Sequence, residues 1–178
     1  MTLLDHLRLM ARYNAWMNEK AYDAAARLSP EEAARDRGAF FGSVLGTLNH
    51  LMVADLIWCH RFAPHPAASP ALDPVLAMAR PDALDQTITP DLAALRALRR
   101  PIDAALVDFV AALDEDGTDR PITYVRTDGG SQTKPLGPVL CHLFNHQTHH
   151  RGQLSTLLTQ AGVDIGVTDL NALVPALD

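Results

Sequence analysis

The sequence predicts an all-α protein with a single domain over residues 1–178. We expect a four-helix bundle with a longer crossover between helices two and three and a small β-hairpin before helix four. Three observations support this fold class. The chain has 178 residues, 48% of them hydrophobic, which is enough for one sizeable core. Four long segments repeat apolar residues every three or four positions, and helix-start signals precede them.

The first long helix is predicted over residues 2–28. Thr2 and Asp5 have the spacing of a capping box, in which each side chain bonds the other residue's backbone N–H. One inward stripe follows, consisting of Leu3, Leu7, Met10, Asn14, Met17, Ala21, Ala24 and Leu28. Ser29, with Pro30 in the first turn and Glu32 three residues on, then predicts a short additional helix.

The second long helix is predicted to begin after Ser43, which can cap it, and to run to about Phe62. Its apolar residues lie nearly all round the helix, so we expect it to be largely buried. Residues 63–88 are rich in proline and alanine and carry turn signals. They predict a crossover with one short helical turn at most, or a lid over the site.

The third long helix is predicted from Thr89 to about Leu113. Pro101 lies inside it and should kink the helix or force a break just before it. Residues 114–121 are predicted to be a loop. Residues 122–134 alternate around Asp128-Gly129-Gly130, which predicts the β-hairpin.

The fourth long helix is predicted from Gly137 to about Ala161, and Gly162 ends it. The tail that follows, residues 163–178, has enough apolar residues to pack back on the bundle.

Composition excludes several classes of function. The net charge is −6 and no Lys/Arg stripe stands out, so we do not expect nucleic-acid binding. No run of eighteen apolar residues occurs, so we expect no membrane span, and the N-terminal residues lack a signal-peptide pattern. We therefore expect a cytoplasmic protein. Cys59 and Cys141 form no CxxC motif and are expected to be reduced, buried thiols.

Histidines carry the strongest chemical signal. Four of the eight lie within residues 142–150. His146 and His150 fall on the inward seam of helix four, where leucine would be routine, and their i, i+4 spacing stacks the two rings on one face. The H-E-x-x-H helix of metalloproteases presents its two ligands in this way. Gln147 stands where that motif has glutamate, so a metalloprotease mechanism is not supported.

A third ligand has to come from another helix, and His50 is the best candidate. Gly46 and Ala54, one turn away on either side, leave room for a ring and a metal ion. The weaker candidates are His6, His60 and His65, while His142 and His149 lie off the seam and either flank a site or face solvent. The alternative for an inward histidine is a hydrogen-bonded core residue. Three buried imidazoles need partners for six ring nitrogens, which favours a metal.

Three segments resemble the DinB/YfiT-like family of four-helix-bundle proteins. They are residues 13–18 (YNAWMN), residues 48–50 (LNH) with Asp55 and Trp58 after them, and residues 145–153 (NHQTHHRGQ). Residues 168–170 (TDL) are also typical, and the resemblance spans most of the chain. It implies one divalent metal ion bound by His50, His146 and His150. It further implies a homodimer and, from some relatives, transfer of low-molecular-weight thiols or isomerisation of thiol adducts.

Three histidine ligands leave a fourth position for water or substrate, as in catalytic rather than structural zinc sites. Imidazole suits Zn, Ni or Fe, and the sequence does not choose among them. The leading hypothesis is a metal-dependent, thiol S-transferase-like enzyme whose partner is a small-molecule thiol or electrophile. The alternatives are a metal-dependent hydrolase and a non-catalytic metal-binding or stress protein. No catalytic residue beyond the ligands is identified.

Four neighbouring residues carry further expectations. Asn14 and Gln153 are candidates for orienting the ligand rings, or else for hydrogen bonds between helices. Arg151 is predicted to point away from the seam, towards the surface or a dimer interface. Gly152, which is costly inside a helix, is predicted to mark close approach by another element.

Overall fold

The computed structural model describes residues 1–68, 70–126 and 129–176. The fold is mostly helical with one small two-stranded antiparallel sheet, as predicted. In chain order the elements are α1 (Leu3–Ala25), α2 (Pro30–Ala34), α3 (Val44–Phe62), α4 (Asp73–Leu76), α5 (Leu92–Ala111), α6 (Glu115–Asp119), β1 (Pro121–Val125), β2 (Ser131–Pro135), α7 (Leu136–Gln160) and a 3₁₀ helix (Leu170–Leu173). The four long helices α1, α3, α5 and α7 correspond to the four predicted ones.

The helices α1, α2, α3 and α7 begin at or close to the positions that the sequence predicts. The Thr2 side chain accepts from the backbone N–H of Asp5, whose carboxylate accepts from the backbone of Thr2, so the capping box is confirmed. Ser29 caps α2 through the N–H of Glu32, with Pro30 at the helix start. Ser43 caps α3 in the same manner. The fourth long helix also starts close to its predicted position.

Two connections differ from the prediction. Pro101 does not break α5, which continues from Leu92 through Ala111. Residues 114–121, predicted as a loop, contain the short helix α6, because Asp114 accepts from the N–H of Gly117 and nucleates one turn. The crossover contains the single short turn α4, as expected.

The β-hairpin pairs Pro121 with Pro135 and Val125 with Ser131. Asp128 of its predicted turn lies outside the described residues. The C-terminal tail does pack back on α1, since the Tyr13 hydroxyl donates to the carbonyl of Thr168 at 2.6 Å and the 3₁₀ helix Leu170–Leu173 contacts α1.

The core lies between the long helices. Helix α1 packs against α5 and α7, and α3 packs against α7. Nearly every residue of α3 is buried, as its apolar circumference predicts. Within the described residues, no helix has the length and apolar character needed to cross a membrane.

Candidate metal centre

Helices α3 and α7 bring three histidines together. His50 comes from the middle of α3, and His146 and His150 come from successive turns of α7. The ring centroids lie 5.1 Å apart for His50 and His146, 4.5 Å for His50 and His150, and 4.4 Å for His146 and His150. Each ring offers a ligand atom, and these three atoms lie within 4.8 Å of one another. The three residues could therefore hold a metal ion.

Hydrogen bonds orient two of the three rings. The Nδ1–H of His50 donates to the carbonyl oxygen of Leu84 at 2.9 Å. The Nδ1–H of His150 donates to the side-chain oxygen of Gln153 at 2.9 Å. A neutral imidazole that donates from Nδ1 carries a lone pair on Nε2. Both rings therefore present a ligand nitrogen, and Gln153 contacts a predicted ligand as a ring-orienting residue does.

The third ring completes a geometry that fits a metal. The Nε2 atoms of His50 and His146 lie 3.3 Å apart. Two nitrogens that bind one zinc ion tetrahedrally lie about 3.4 Å apart, given Zn–N bonds of about 2.0–2.1 Å. Among the described residues, the buried Nδ1 of His146 has no hydrogen-bond partner. Hydrogen bonding within the described residues therefore does not account for the burial of this ring, and the 3.3 Å spacing of the two Nε2 atoms is the observation that fits a divalent ion.

Electrostatics keeps the rings neutral. Burial lowers the pKa of His50, His146 and His150. For His146 the pKa falls to about 3, because burial is reinforced by the neighbouring rings of His150 and His50. A histidine must be neutral to bind a metal, so the site is in its ligand-competent form at physiological pH.

An aromatic side chain covers the rings on one side. Phe41 stacks on His50 with ring centroids 3.7 Å apart and meets His150 edge-on at 5.4 Å. Gly46 permits this arrangement, because a Cβ at that position would lie 2.1 Å from the carbonyl oxygen of Phe41. Gly46, one turn before His50, thus makes room for the Phe41 backbone.

The crossover forms another part of the site. Asn49 anchors its end to α3, since its side-chain oxygen accepts from the N–H groups of Ile88 and Thr89, and its amide donates to the Thr89 carbonyl. Leu84 lies in this anchored segment and holds the His50 ring. Residues 63–88 are therefore packed beside the centre.

Beneath the histidines lies a buried ion-pair network. Arg99 of α5 contacts Asp55 of α3 and Asp103 of α5, each at 2.5 Å. Gln147 donates to Asp55 at 2.6 Å and to the Leu51 carbonyl at 3.0 Å. Because Gln147 directly follows His146, this bond fixes the rotation of α7 about its axis and hence the direction of the ligand rings.

The same network reaches α1. Arg151 of α7 donates to the side-chain oxygens of Asn14 and Asn18, and Asn18 donates to Asp103 at 2.8 Å. Burial lowers the pKa of Arg151 to about 10, which leaves it charged at neutral pH. The network therefore joins all four long helices and balances two buried cations with two buried carboxylates.

The structure corrects two sequence predictions. Arg151 is not at the surface or at an interface: it is 3% exposed within this chain and lies in the network, because the residue after an inward histidine still faces the adjacent helix α1. Gly152 marks no close approach, since a Cβ there would meet nothing within 4 Å. Asn14 bonds to Arg151 and Asp103, so its role here is a contact between helices.

Two further histidines of α7 flank the three: the ring centroid of His142 lies 6.1 Å from that of His146, and the ring centroid of His149 lies 4.8 Å from that of His150. His142 and His149 are exposed on α7. His60 contacts the carbonyl of Met78, and His65 contacts the carbonyl of Gly117.

Sequence reasoning did not identify Leu84 or Phe41, or the roles of Arg99 and Asp103. Leu84 holds His50 through its backbone carbonyl, which any residue type would provide, so its identity in the sequence does not indicate this role. Arg99 and Asp103 did carry one, an i, i+4 charged pair on the inward side of an apolar helix.

A cavity of about 370 Å³ opens beside His146, between α3, α7, the crossover and the hairpin. It is lined by Ala54, Ile57, Trp58, Arg61, Leu84, Tyr124, Arg126, Gln132, His142 and His146.

Comparisons with known proteins identify the family of this chain. The family model of the DinB family matches residues 3–174. The chain is 24% identical over 157 residues to "Protein DinB" of Bacillus subtilis (strain 168), covering 88% of this chain and 87% of that protein. It is 40% identical over 57 residues to "Uncharacterized protein YrdA" of the same organism, covering 32% of this chain and 34% of the relative. Because the family model covers nearly the whole chain, the protein belongs to the DinB family.

Proposed function

We propose that His50, His146 and His150 bind one divalent metal ion, either Zn, Ni or Fe, and that the protein is a metal-dependent thiol S-transferase-like enzyme. The observation that carries the metal site is the convergence of three neutral imidazoles from two helices, with two of them held by Nδ1 hydrogen bonds. Three protein ligands leave room for a further ligand, as catalytic zinc sites do.

A bound divalent ion would supply Lewis acidity and lower the pKa of a coordinated thiol towards neutrality. In the proposed transfer, the thiol sulfur bonds to an electrophilic carbon, the leaving group departs with its electron pair, and the thiol proton passes to solvent. The chain itself holds the three rings in place, shields them with Phe41, and offers the cavity beside His146 to the second reactant.

The same centre would also serve a metal-dependent hydrolase, in which water replaces the thiol. A non-catalytic metal-binding or stress protein is the remaining alternative. The cavity that reaches His146 favours an enzyme over this alternative, because a storage or structural site needs no adjacent space for a reactant.

We also propose that the single domain covers residues 1–178, that α1, α3, α5 and α7 form a four-helix bundle, and that two cytoplasmic copies assemble as a homodimer. Light scattering on the purified protein measures the mass in solution and tests the dimer directly.

The test of the metal site is the metal content of untagged protein, measured by plasma mass spectrometry. We expect near-stoichiometric Zn, Ni or Fe in the wild type and none in a His146→Ala/His150→Ala variant. His6→Ala is the control, since it removes an imidazole from α1 that, among the described residues, has no ring contact or hydrogen bond with the three histidines, and it should leave the metal content unchanged. No metal in the wild type, with no uptake of added ions, would mean that the three histidines are core residues.

The test of activity uses the metal-loaded protein with cysteine as the thiol and monochlorobimane as the electrophile. Thiol transfer above the rate of the His150→Ala variant supports the transferase. Hydrolysis of activated esters without thiol transfer favours the hydrolase. Stoichiometric metal with neither activity favours the non-catalytic protein.

A further inference from the structure

The walls of the cavity beside His146 carry one sign of charge. Arg61 and Arg126 line it, and Lys134 lines the space that continues from it past Trp58 and Tyr124. His142 also lines both spaces, and burial lowers its pKa, so it adds a neutral imidazole. Among residues 1–68, 70–126 and 129–176, none that lines either space is acidic. The chain as a whole has a net charge of −6, so a cationic cavity runs against its overall composition.

Arg61 is held in position but keeps hydrogen-bonding capacity. Its guanidinium lies over the rings of Trp58, at 4.6 Å, and Tyr124, at 5.0 Å, and one terminal nitrogen donates to the carbonyl of Val125 at 3.2 Å. Its Nε is buried and, within the described residues, has no partner. Burial and the nearby charge of Arg80 lower the pKa of Arg61. A bound anion would accept a hydrogen bond from this Nε and would offset the repulsion between Arg61 and Arg80.

Gln132 adds neutral donors at the same wall. The Tyr124 hydroxyl donates to the side-chain oxygen of Gln132 at 3.1 Å, which fixes the orientation of the amide. Gln132 lines the cavity, so its NH₂ group supplies a donor for a bound anion. At the other end, Ala54 and Leu84 give apolar surface next to the histidines.

We propose that this cavity binds a small molecule whose carboxylate, sulfonate or phosphate group is recognised by Arg61 and Gln132. The apolar body of the molecule lies along Ala54 and Leu84 towards His146. Arg61 follows Ala54 by seven residues on α3, which places the anionic group about 10 Å along the helix from the histidine end. The identification of this molecule as a substrate rests on the proposed function, whereas its binding does not.

The test follows the fluorescence of Trp58 in a Trp16→Phe background, with excitation at the red edge of the indole band. The probes are benzoate, benzenesulfonate and phenylphosphonate, and neutral benzamide is the isosteric control. Both as-purified and chelator-treated protein are titrated. We expect saturable quenching by the anions in both preparations and none by benzamide.

Two variants localise the site. Arg61→Gln removes the charge, and Gln132→Glu keeps the acceptor for Tyr124 while adding a negative charge. Each should weaken benzoate binding at least about tenfold, as expected for a charge-assisted hydrogen bond. Arg12→Gln, an equal charge change on an exposed residue of α1, should leave it unchanged. If Arg61→Gln fails to fold, the benzoate affinity of Gln132→Glu still tests the anion site.

The outcomes separate this proposal from the metal centre. Equal binding of benzoate and benzamide, or undiminished binding by Gln132→Glu, overturns the anion site even if the protein is fully loaded with metal. Benzoate binding that requires metal and ignores Arg61→Gln also overturns it, because the carboxylate would then ligate the ion. The expected variant pattern in a protein that takes up no metal supports the anion site and refutes the metal centre.

Discussion

The Nε2 atoms of His50 and His146 lie 3.3 Å apart although the two residues are separated by 96 positions in the chain. The direction of each ring depends on a residue that is distant from it in sequence. The Leu84 carbonyl holds His50, and the bond from Gln147 to Asp55 fixes the helix that carries His146. The ligand geometry therefore depends on residues that never contact a metal, and several predictions concern them.

Gln153→Leu should weaken metal binding about tenfold to a hundredfold while leaving all three ligands in place. Gln153 accepts the Nδ1–H of His150, and losing such a partner frees the ring and lowers its basicity. The measurement is competition for Zn against a chromophoric chelator.

Gln153→Glu is the matched variant for this position, because a carboxylate still accepts from His150 and should retain wild-type affinity or exceed it. Gln160→Leu tests the same loss of an amide on an exposed position at the end of α7 and should have no effect. Equal affinity for Gln153→Leu and wild type would show that the His150 ring is held by packing alone.

Gly46→Ala should destabilise the protein by about 1–3 kcal/mol, the usual cost of an overpacked position. The added Cβ would lie 2.1 Å from the Phe41 carbonyl oxygen, so the segment that covers His50 has to move. Urea unfolding measures the stability, and the metal affinity should fall in the same variant because Phe41 stacks on His50.

Gly152→Ala is the control on α7. A Cβ at Gly152 meets nothing within 4 Å, so alanine should stabilise the helix by about 1 kcal/mol. If Gly46→Ala stabilised the protein as Gly152→Ala is expected to, the steric explanation for Gly46 would be wrong.

Arg99→Met should cost about 3–5 kcal/mol of folding free energy. Arg99 is 2% exposed, and its removal leaves the buried carboxylates of Asp55 and Asp103 without the cation that contacts both of them. Arg100→Met, one position along the same helix, breaks an exposed pair with Glu19 and should cost less than about 1 kcal/mol. Comparable losses for the two variants would contradict a special role for the buried network.

Sequence patterns predicted those parts of the molecule that depend on local rules. Apolar periodicity placed the four long helices, and the spacing of Thr2 with Asp5 and of Ser29 with Glu32 placed two helix starts. The inward seam of α7 placed His146 and His150 together on one side of that helix. These features depend on residues close in sequence, so one chain carries enough information for them.

The rest depends on tertiary contacts that have no local signal. Arg151 was expected at the surface because it lies off the histidine seam, yet α1 packs against that side of α7 and buries it. The Leu84 carbonyl is a backbone group in a proline-rich crossover. The pairing of Asp55 with Arg99 joins positions 44 residues apart, and only the helix arrangement reveals it.

Below about pH 6.5, His65 should make the protein less stable, and His65→Gln should reduce that dependence. Burial lowers the pKa of His65, whose Nδ1 accepts from the N–H of Ala67 while its Nε2–H donates to Gly117. The unfolded chain, with a histidine pKa of about 6.5, takes up the proton first as the pH falls. Stability is therefore full above that pH and is lost as the pH falls towards the folded pKa.

Urea unfolding of chelator-treated protein between about pH 8 and pH 5 measures this dependence. At the upper limit His65 is neutral in both states, so the difference between the two proteins there gives the cost of the substitution without titration. Subtracting that difference should leave a shallower pH profile for His65→Gln than for wild type, because protonating Nδ1 can no longer break the bond from Ala67. Parallel profiles would show that His65 stays neutral in both states or opens to solvent before it titrates.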